Sequence, residues 1–300
     1  MPRIENFIND KKIAVFKGKG FKLEEYRTDY TGGFKNEKAA EQKRLSDIAK
    51  LSDLQEKLYA GDKHSILIIF QAMDAAGKDS TIEHVLKGIN PQGCSVTSFK
   101  RPSDKELSHD YLWRTNSALP ERGMIGIFNR SYYEEVLVTK VHPEIILGQN
   151  IPGITKSKHI TKSFWEKRYQ SIIQQEKHLA ENGYLILKFF LNVSQVEQKN
   201  RFIERINNPN KNWKFQIGDL KERAFWDKYM AAYQFAIKET ANENAPWFII
   251  PADNKWFMQM AVTDIILNSL EKLNLAFPEP SIEAKQQLLE AKQQLSLPNV

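Results

Sequence analysis

Ile66-Leu67-Ile68-Ile69-Phe70 runs directly into Gln71-Ala72-Met73-Asp74-Ala75-Ala76-Gly77-Lys78-Asp79-Ser80-Thr81, and then into the helical Ile82-Glu83-His84-Val85-Leu86. A buried strand, a tight turn of small residues ending in Gly-Lys, and a helix make the architecture of a phosphate-binding loop. The composition has a physical reason. Ala75, Ala76 and Gly77 let backbone N–H groups come close to phosphate oxygens, the helix start adds about half a positive charge, and Lys78 brings a mobile full charge. Ala72 stands where the usual pattern has its first glycine, and Asp79 follows the lysine where a Ser or Thr would hold Mg²⁺. Asp79 and Ser80 remain candidate phosphate contacts. A plain strand-to-helix turn capped by Asp74 is the alternative. Against it, a carboxylate inside a phosphate cradle repels its own ligand unless a hard cation lies between, which makes Asp74 a candidate Mg²⁺ anchor.

Four more short apolar runs follow, Ser95 to Phe99, Met124 to Phe128, Tyr184 to Leu191 and Trp247 to Ile250, separated by helix-length segments. Such runs are what strands buried on both faces of a parallel sheet look like, so the class is α/β. Ligands of parallel sheets sit beyond the carboxyl ends of strands. Asn129 and Arg130 therefore emerge beside the loop carrying Lys78, Asn129 as a second metal-shell group and Arg130 as a bidentate phosphoryl ligand. Lys100 and Arg101 end the second strand and add charge to the same rim. Asp110 and Arg114, four apart, fit either a helical ion pair or a site contact. His109 is read as a packing or capping residue. Arg201 and Arg205 share one face of a helix that leads through a polar turn to Lys214, the pattern of a basic, mobile lid over residues 200–218.

The remaining segments frame this centre. Lys35 to Tyr59 repeats Leu45, Ile48, Leu51, Leu54 and Leu58 at helical steps. Lys158 to Asn182 and Asp219 to Ala241 read as further helices, with Glu176 the one polar residue on the first one's apolar face; the aromatics of the second read as core. Residues 1–35 lack a sustained period and suggest an arm laid on the surface. Residues 280–300 form a Gln- and Glu-rich helical tail, solvated or part of an oligomer contact. No internal linker appears, so residues 1–300 read as one domain.

Composition limits the function. The chain has 300 residues, 41% hydrophobic, with 43 Lys and Arg against 37 Asp and Glu, a formal charge of +6. That is core enough to exclude wholesale disorder and a charge that favours anionic partners without the excess of a histone-like binder. Cys94 is the single cysteine and no apolar run approaches the roughly 20 residues that span a bilayer. The expectation is a cytoplasmic protein that is neither a membrane protein nor a nucleic-acid binder.

Five ordered motifs then carry a resemblance: Phe70 to Asp79, Asn90-Pro91-Gln92-Gly93, Ser98 to Ser103, His109 to Arg114, and Phe128-Asn129-Arg130-Ser131-Tyr132-Tyr133-Glu134. Together they resemble the polyphosphate kinase 2 family over roughly Lys35 to Leu273. The resemblance implies a three-layer P-loop kinase fold with a parallel central sheet and a helical lid. It implies an enzyme that uses Mg²⁺ to move the terminal phosphoryl group of inorganic polyphosphate onto AMP or ADP, yielding ADP and ATP. Lys78 and Asp74 then match the loop's phosphate and metal residues, Asn129 and Arg130 the second motif, and Arg201 and Arg205 the lid. Asn129, with Glu134 and the residues after it, is most similar to the subgroup acting on both AMP and ADP. A homo-oligomer is expected by the same likeness. An ATP-dependent nucleotide or metabolite kinase on the same fold is the alternative.

Overall fold

The computed structural model describes residues 6–296. Six strands form one sheet in the order β1-β6-β5-β2-β4-β3: β1 Ala14–Val15, β2 Ser65–Ala72, β3 Cys94–Ser98, β4 Ile125–Asn129, β5 Tyr184–Asn192 and β6 Trp247–Pro251. The pairings among β2 to β6 are parallel. Helices α1 Glu37–Gly61, α2 Lys78–Val85, α3 Asp104–Leu107, α4 Trp113–Asn116, α5 Val138–Val141 and α6 Glu144–Leu147 belong to the first half. The second half holds α7 Lys162–Glu181, α8 Gln195–Asn207, α9 Ile217–Arg223, α10 Trp226–Thr240, α11 Lys255–Glu271 and α12 Ile282–Leu295. Helices α1, α2 and α11 pack together on one side of the sheet and α7 and α10 on the other, which gives the three layers expected.

β2 is central, with all residues from Ser65 to Gln71 buried, because its neighbours on both sides and helices on both faces leave no room for polar alternation. β3 departs from the expectation of strands buried on both faces. It is an edge strand, and Ser95, Val96 and Ser98 are exposed.

Several further expectations are corrected. The arm of residues 1–35 is not merely laid on the surface; its first five residues lie outside the described ones. Phe7, Ile13, Val15, Phe21 and Phe34 are buried, β1 pairs antiparallel with β6, and the Phe7 ring meets Phe257 edge-on at 5.4 Å. Isolated apolar residues in a turn-rich stretch carry no period, yet each fills its own socket. The face of α1 that packs is Ala40, Asp47, Leu51, Gln55 and Leu58, whereas Leu45 is exposed. Asp47 is tolerated there because Lys43 bridges it at 2.9 Å. The helix expected over Asp219 to Ala241 is two, broken between Arg223 and Trp226. Helix α11, the most thoroughly buried, has no polar face and so no amphipathic signature to find. Glu176, the exception on α7, meets Lys188 of β5 at 2.7 Å with both side chains fully buried. The tail is an exposed helix, α12, capped by Ser281. No helix among the described residues is long and apolar enough to cross a membrane.

Candidate active site

The register of the sheet assembles the site. Phe70 of β2 lies level with Asn129 of β4, and Ser98 of β3 is level with Asn129 in turn, so the residues that follow each strand emerge on one rim. The Arg130 N–H donates to the Phe70 carbonyl at 3.0 Å, and Arg130 adopts φ +67°, a left-handed turn that non-glycine residues avoid. The turn carries its guanidinium to Asp74, Nη2 to Oδ1 3.2 Å. Asn129 donates from Nδ2 to Asp79 Oδ1 at 2.8 Å, leaving its amide oxygen as the atom it can offer a cation. The loop residues and the second motif thus meet, from 56 positions apart in the case of Asp74 and Arg130.

Within the loop, Gly77 is the residue before α2 and has φ +108°, and Ala75 has φ +60°. A Cβ on Gly77 would come within 2.9 Å of Met258 Cε, a flexible end that can shift, so it is the backbone conformation that calls for glycine there. Ala72 is not among the residues with positive φ, and alanine fits the position where the pattern has glycine. Asp74 does not cap α2, contrary to the alternative. Ser80 Oγ donates to the Gly77 carbonyl at 3.0 Å, which turns it toward its own helix start. Lys78 Nζ donates to the Ala72 carbonyl at 3.0 Å, folding its ammonium back across the loop.

Two cavities flank Arg130. One, of about 460 Å³, is lined by Lys78, Asp79, Lys100, Asn129, Arg130 and Gln216 among others. The other, of about 230 Å³, is lined by Asp74, Arg130, Glu134, Glu222, Tyr229 and Tyr233 among others. Burial pushes the Lys78 ammonium below its ordinary pKa, with Arg130 adding to the effect. Burial pushes the Glu134 carboxyl up, against the pull of Arg130 and Lys78. Burial opposes the Arg130 charge, but Glu134 and Asp74 outweigh it and raise its pKa. The Gln71 side chain, turned so that its nitrogen donates to Glu134 Oε1 at 2.8 Å and its oxygen accepts from the Ser131 N–H at 3.0 Å, fixes Glu134 beside Arg130.

Other candidates fall elsewhere. Asp110 and Arg114 make no ion pair; Asp110 accepts from the Leu112 N–H at 2.9 Å ahead of α4, and Arg114 donates to the Lys100 carbonyl at 2.7 Å. Both line a third cavity of about 710 Å³ with Tyr111, Phe164 and Arg168. His109 stacks on Trp113, ring centroids 4.0 Å apart, a packing role. Arg101 is exposed and lines none of these three cavities. Arg205 lies 3.8 Å from Asp219, whose carboxyl is close enough to Asp74 and Arg130 to feel their charge, and Lys214 lies over Trp213. Arg201 is buried behind the loop, not displayed on a lid face. Gln216, Glu222, Tyr229 and Tyr233 were missed as site residues. Tyr229 and Tyr233 belong to the buried core, as expected of the aromatics in that segment, and both also line the smaller cavity.

Residues 35–278 match the protein-family model Polyphosphate kinase 2 (PPK2). An ADP-polyphosphate phosphotransferase of Rhodopseudomonas palustris is 47% identical over 96% of this chain and 99% of its own length. An AMP/ADP-polyphosphate phosphotransferase of Meiothermus ruber is 41% identical over 93% of this chain and 100% of its own. The crystal structure of polyphosphate kinase 2 from Arthrobacter aurescens superposes with a TM-score of 0.84 at 36% identity, covering 97% of this chain and 100% of that one. With the strand-end site already in place, the match over most of its length makes this chain a member of the polyphosphate kinase 2 family.

Proposed function

We propose that this enzyme transfers the terminal phosphoryl group of inorganic polyphosphate to AMP and ADP, forming ADP and ATP. The observation that carries the reading is the meeting of Lys78, Asp74 and Arg130 at the carboxyl ends of parallel strands, between two cavities. A phosphate oxygen of the nucleotide attacks the terminal phosphorus, and the bond from that phosphorus to the chain breaks, leaving polyphosphate one unit shorter. The attacking oxygen is already ionised at neutral pH, so no strong base is required. Positioning and charge neutralisation supply the rate.

The residues present suit Mg²⁺. Asp74, Asp79 and Glu134 bring three carboxylates to a pocket with Lys78 and Arg130, a balance that repels a polyanion unless a cation joins it. Among the described residues no cluster of His, Cys, Asp and Glu forms an all-protein metal cage. That fits an ion held by one or two protein groups and by substrate phosphates. Asp74 and the Asn129 amide oxygen would hold it, and when bound it neutralises charge on the transferring phosphoryl group. Lys100 extends the cationic rim along the larger cavity.

The cavity of about 710 Å³, in which Arg168 lies 4.8 Å from the Tyr111 and Phe164 rings, has the size and aromatic lining for the base and sugar of the acceptor. A homo-oligomer belongs to the same reading. Ile282, Leu288, Leu289 and Leu295 of α12 are exposed, and light scattering of the full chain tests it. The lone Cys94 suits a reducing, cytoplasmic setting.

The test mixes protein, Mg²⁺, AMP or ADP, and polyphosphate with no ATP added. ATP appears if the reading holds, and strict dependence on a nucleotide donor favours an ATP-dependent kinase instead.

A further inference from the structure

The loop's carbonyls have dedicated partners. Gln198 of α8, 1% exposed, donates from Nε2 to the Asp74 carbonyl at 2.9 Å. Arg201, one turn on and 6% exposed, donates from Nη1 to the carbonyls of Ala75 at 3.3 Å and Ala76 at 2.6 Å. Its Nη2 reaches the carbonyls of Ala252 and, at 3.3 Å, Asp253, and its Nε meets Glu197 Oε1 at 2.8 Å. A guanidinium has five N–H donors, and five acceptors already surround this one. It has no donor edge left for phosphate. Gln198 is oriented in turn by Arg223 of α9, which donates to its Oε1.

A trans peptide points its C=O and N–H in opposite directions. Carbonyls of Asp74, Ala75 and Ala76 drawn back toward α8 therefore turn the next N–H groups the other way. Of these, Ala76 N–H closes a turn onto Met73 at 3.3 Å, while those of Ala75 and Gly77 have no hydrogen-bond partner among the described residues. The left-handed φ of Ala75 and Gly77 is the backbone shape this requires, and a shape alanine adopts only when its surroundings impose it.

We propose that Gln198 and Arg201 are positioning residues, which hold the carbonyl edge of the Asp74–Ala76 peptides so that the opposite N–H edge faces the phosphates. Arg201 then acts through backbone and does not touch substrate. The inference rests on the phosphate-loop reading, for which Lys78→Ala is the control.

The experiment measures kcat and KM for polyphosphate in Gln198→Ala, Arg201→Lys and Arg201→Gln, with thermal melting of each and the salt dependence of polyphosphate binding. Arg201→Lys keeps the charge but loses the planar fork. It is expected to lose about 10²-fold in kcat, as removal of preorganised phosphate donors does. Gln198→Ala, which alters no charge, is expected to lose about 10-fold with little change in KM. The salt dependence of polyphosphate binding is expected to stay as in the parent for all three, since the ion pair Arg201 makes is with Glu197 and none of the variants removes an ionic contact to phosphate. Near-parent kcat in folded Gln198→Ala or Arg201→Lys overturns the proposal. So does a shallower salt dependence in Arg201→Gln, which would mark a direct phosphate contact. If the Arg201 variants fail to fold, Gln198→Ala decides. Loss of activity in Lys78→Ala with normal turnover in the Gln198 and Arg201 variants removes this inference alone, whereas full activity in Lys78→Ala removes the loop reading itself.

Discussion

Two clusters in this molecule pair opposite charges, one in the core and one at the strand ends, and they are built differently. In the core, Lys188 Nζ is 2.7 Å from Glu176, 2.9 Å from the Tyr133 hydroxyl and 3.1 Å from the Thr240 carbonyl, all of it closed to solvent. Tyr132 and Tyr133 donate to the other Glu176 oxygen at 3.0 and 2.8 Å. Every charge there has its partners, and nothing further can bind. At the strand ends, Arg130 and Asp74 meet through one contact of 3.2 Å, both stay partly open to cavities, and the backbone at Ala75 and Arg130 is strained. Charge left incompletely paired beside open space is available to a ligand; charge completed by the protein is available only to the fold.

Breaking each cluster tests the distinction. Lys188→Met strands the Glu176 carboxylate in the core and is expected to cost about 3–5 kcal/mol in chemical denaturation. Adding Glu176→Leu to it is expected to recover most of that loss, since a buried ion pair and a well-packed apolar pair are often near parity. A double variant as unstable as the single one would show that the network does more than satisfy itself. At the site the order reverses. Lys78→Ala and Arg130→Ala are expected to lower kcat at least about 10²-fold while melting close to the parent, and near-normal turnover would remove the role assigned to that residue.

A smaller effect concerns pH. The Glu134 pKa is raised by burial, so its carboxylate is lost on acidification before that of an ordinary glutamate. The native state then binds that proton more tightly than the unfolded chain, so its protonation adds to stability as pH falls through the raised pKa. Activity should therefore decline on the acid side before structure does, and this limb should vanish from the pH–rate profile of Glu134→Gln. A limb that persists unchanged in Glu134→Gln belongs to another group. The smallest expected change is at Ala75. Glycine there relieves a left-handed conformation worth about 1–2 kcal/mol and adds roughly 0.5–1 kcal/mol of chain entropy to be lost. Ala75→Gly should thus gain between about 0 and 1.5 kcal/mol, read as a small rise in melting temperature. A clear loss would show that the strain is illusory.

Local pattern and long-range structure divide along physical lines in this chain. The strand-loop-helix at Ile66 to Leu86, the parallel class and the emergence of Asn129 and Arg130 at a strand end follow from contiguous residues, because periodicity, turn composition and helix-start electrostatics are properties of neighbours in sequence. Glu176 stood out on α7 as the wrong residue for its face, but its partner Lys188 lay across a packing interface that no period encodes. The same limit hid the arm's buried anchors, the largely buried α11 and the Tyr229 and Tyr233 side of the site. Arg201 shows it most sharply. Its spacing from Arg205 marks a basic helix face, and only the packing of α8 against the loop turns that guanidinium onto backbone carbonyls and away from solvent. Sequence alone determined which chemistry is present and roughly where the chain offers it; the tertiary structure decided which charges remain free to use it, since that depends on partners brought together from distant segments.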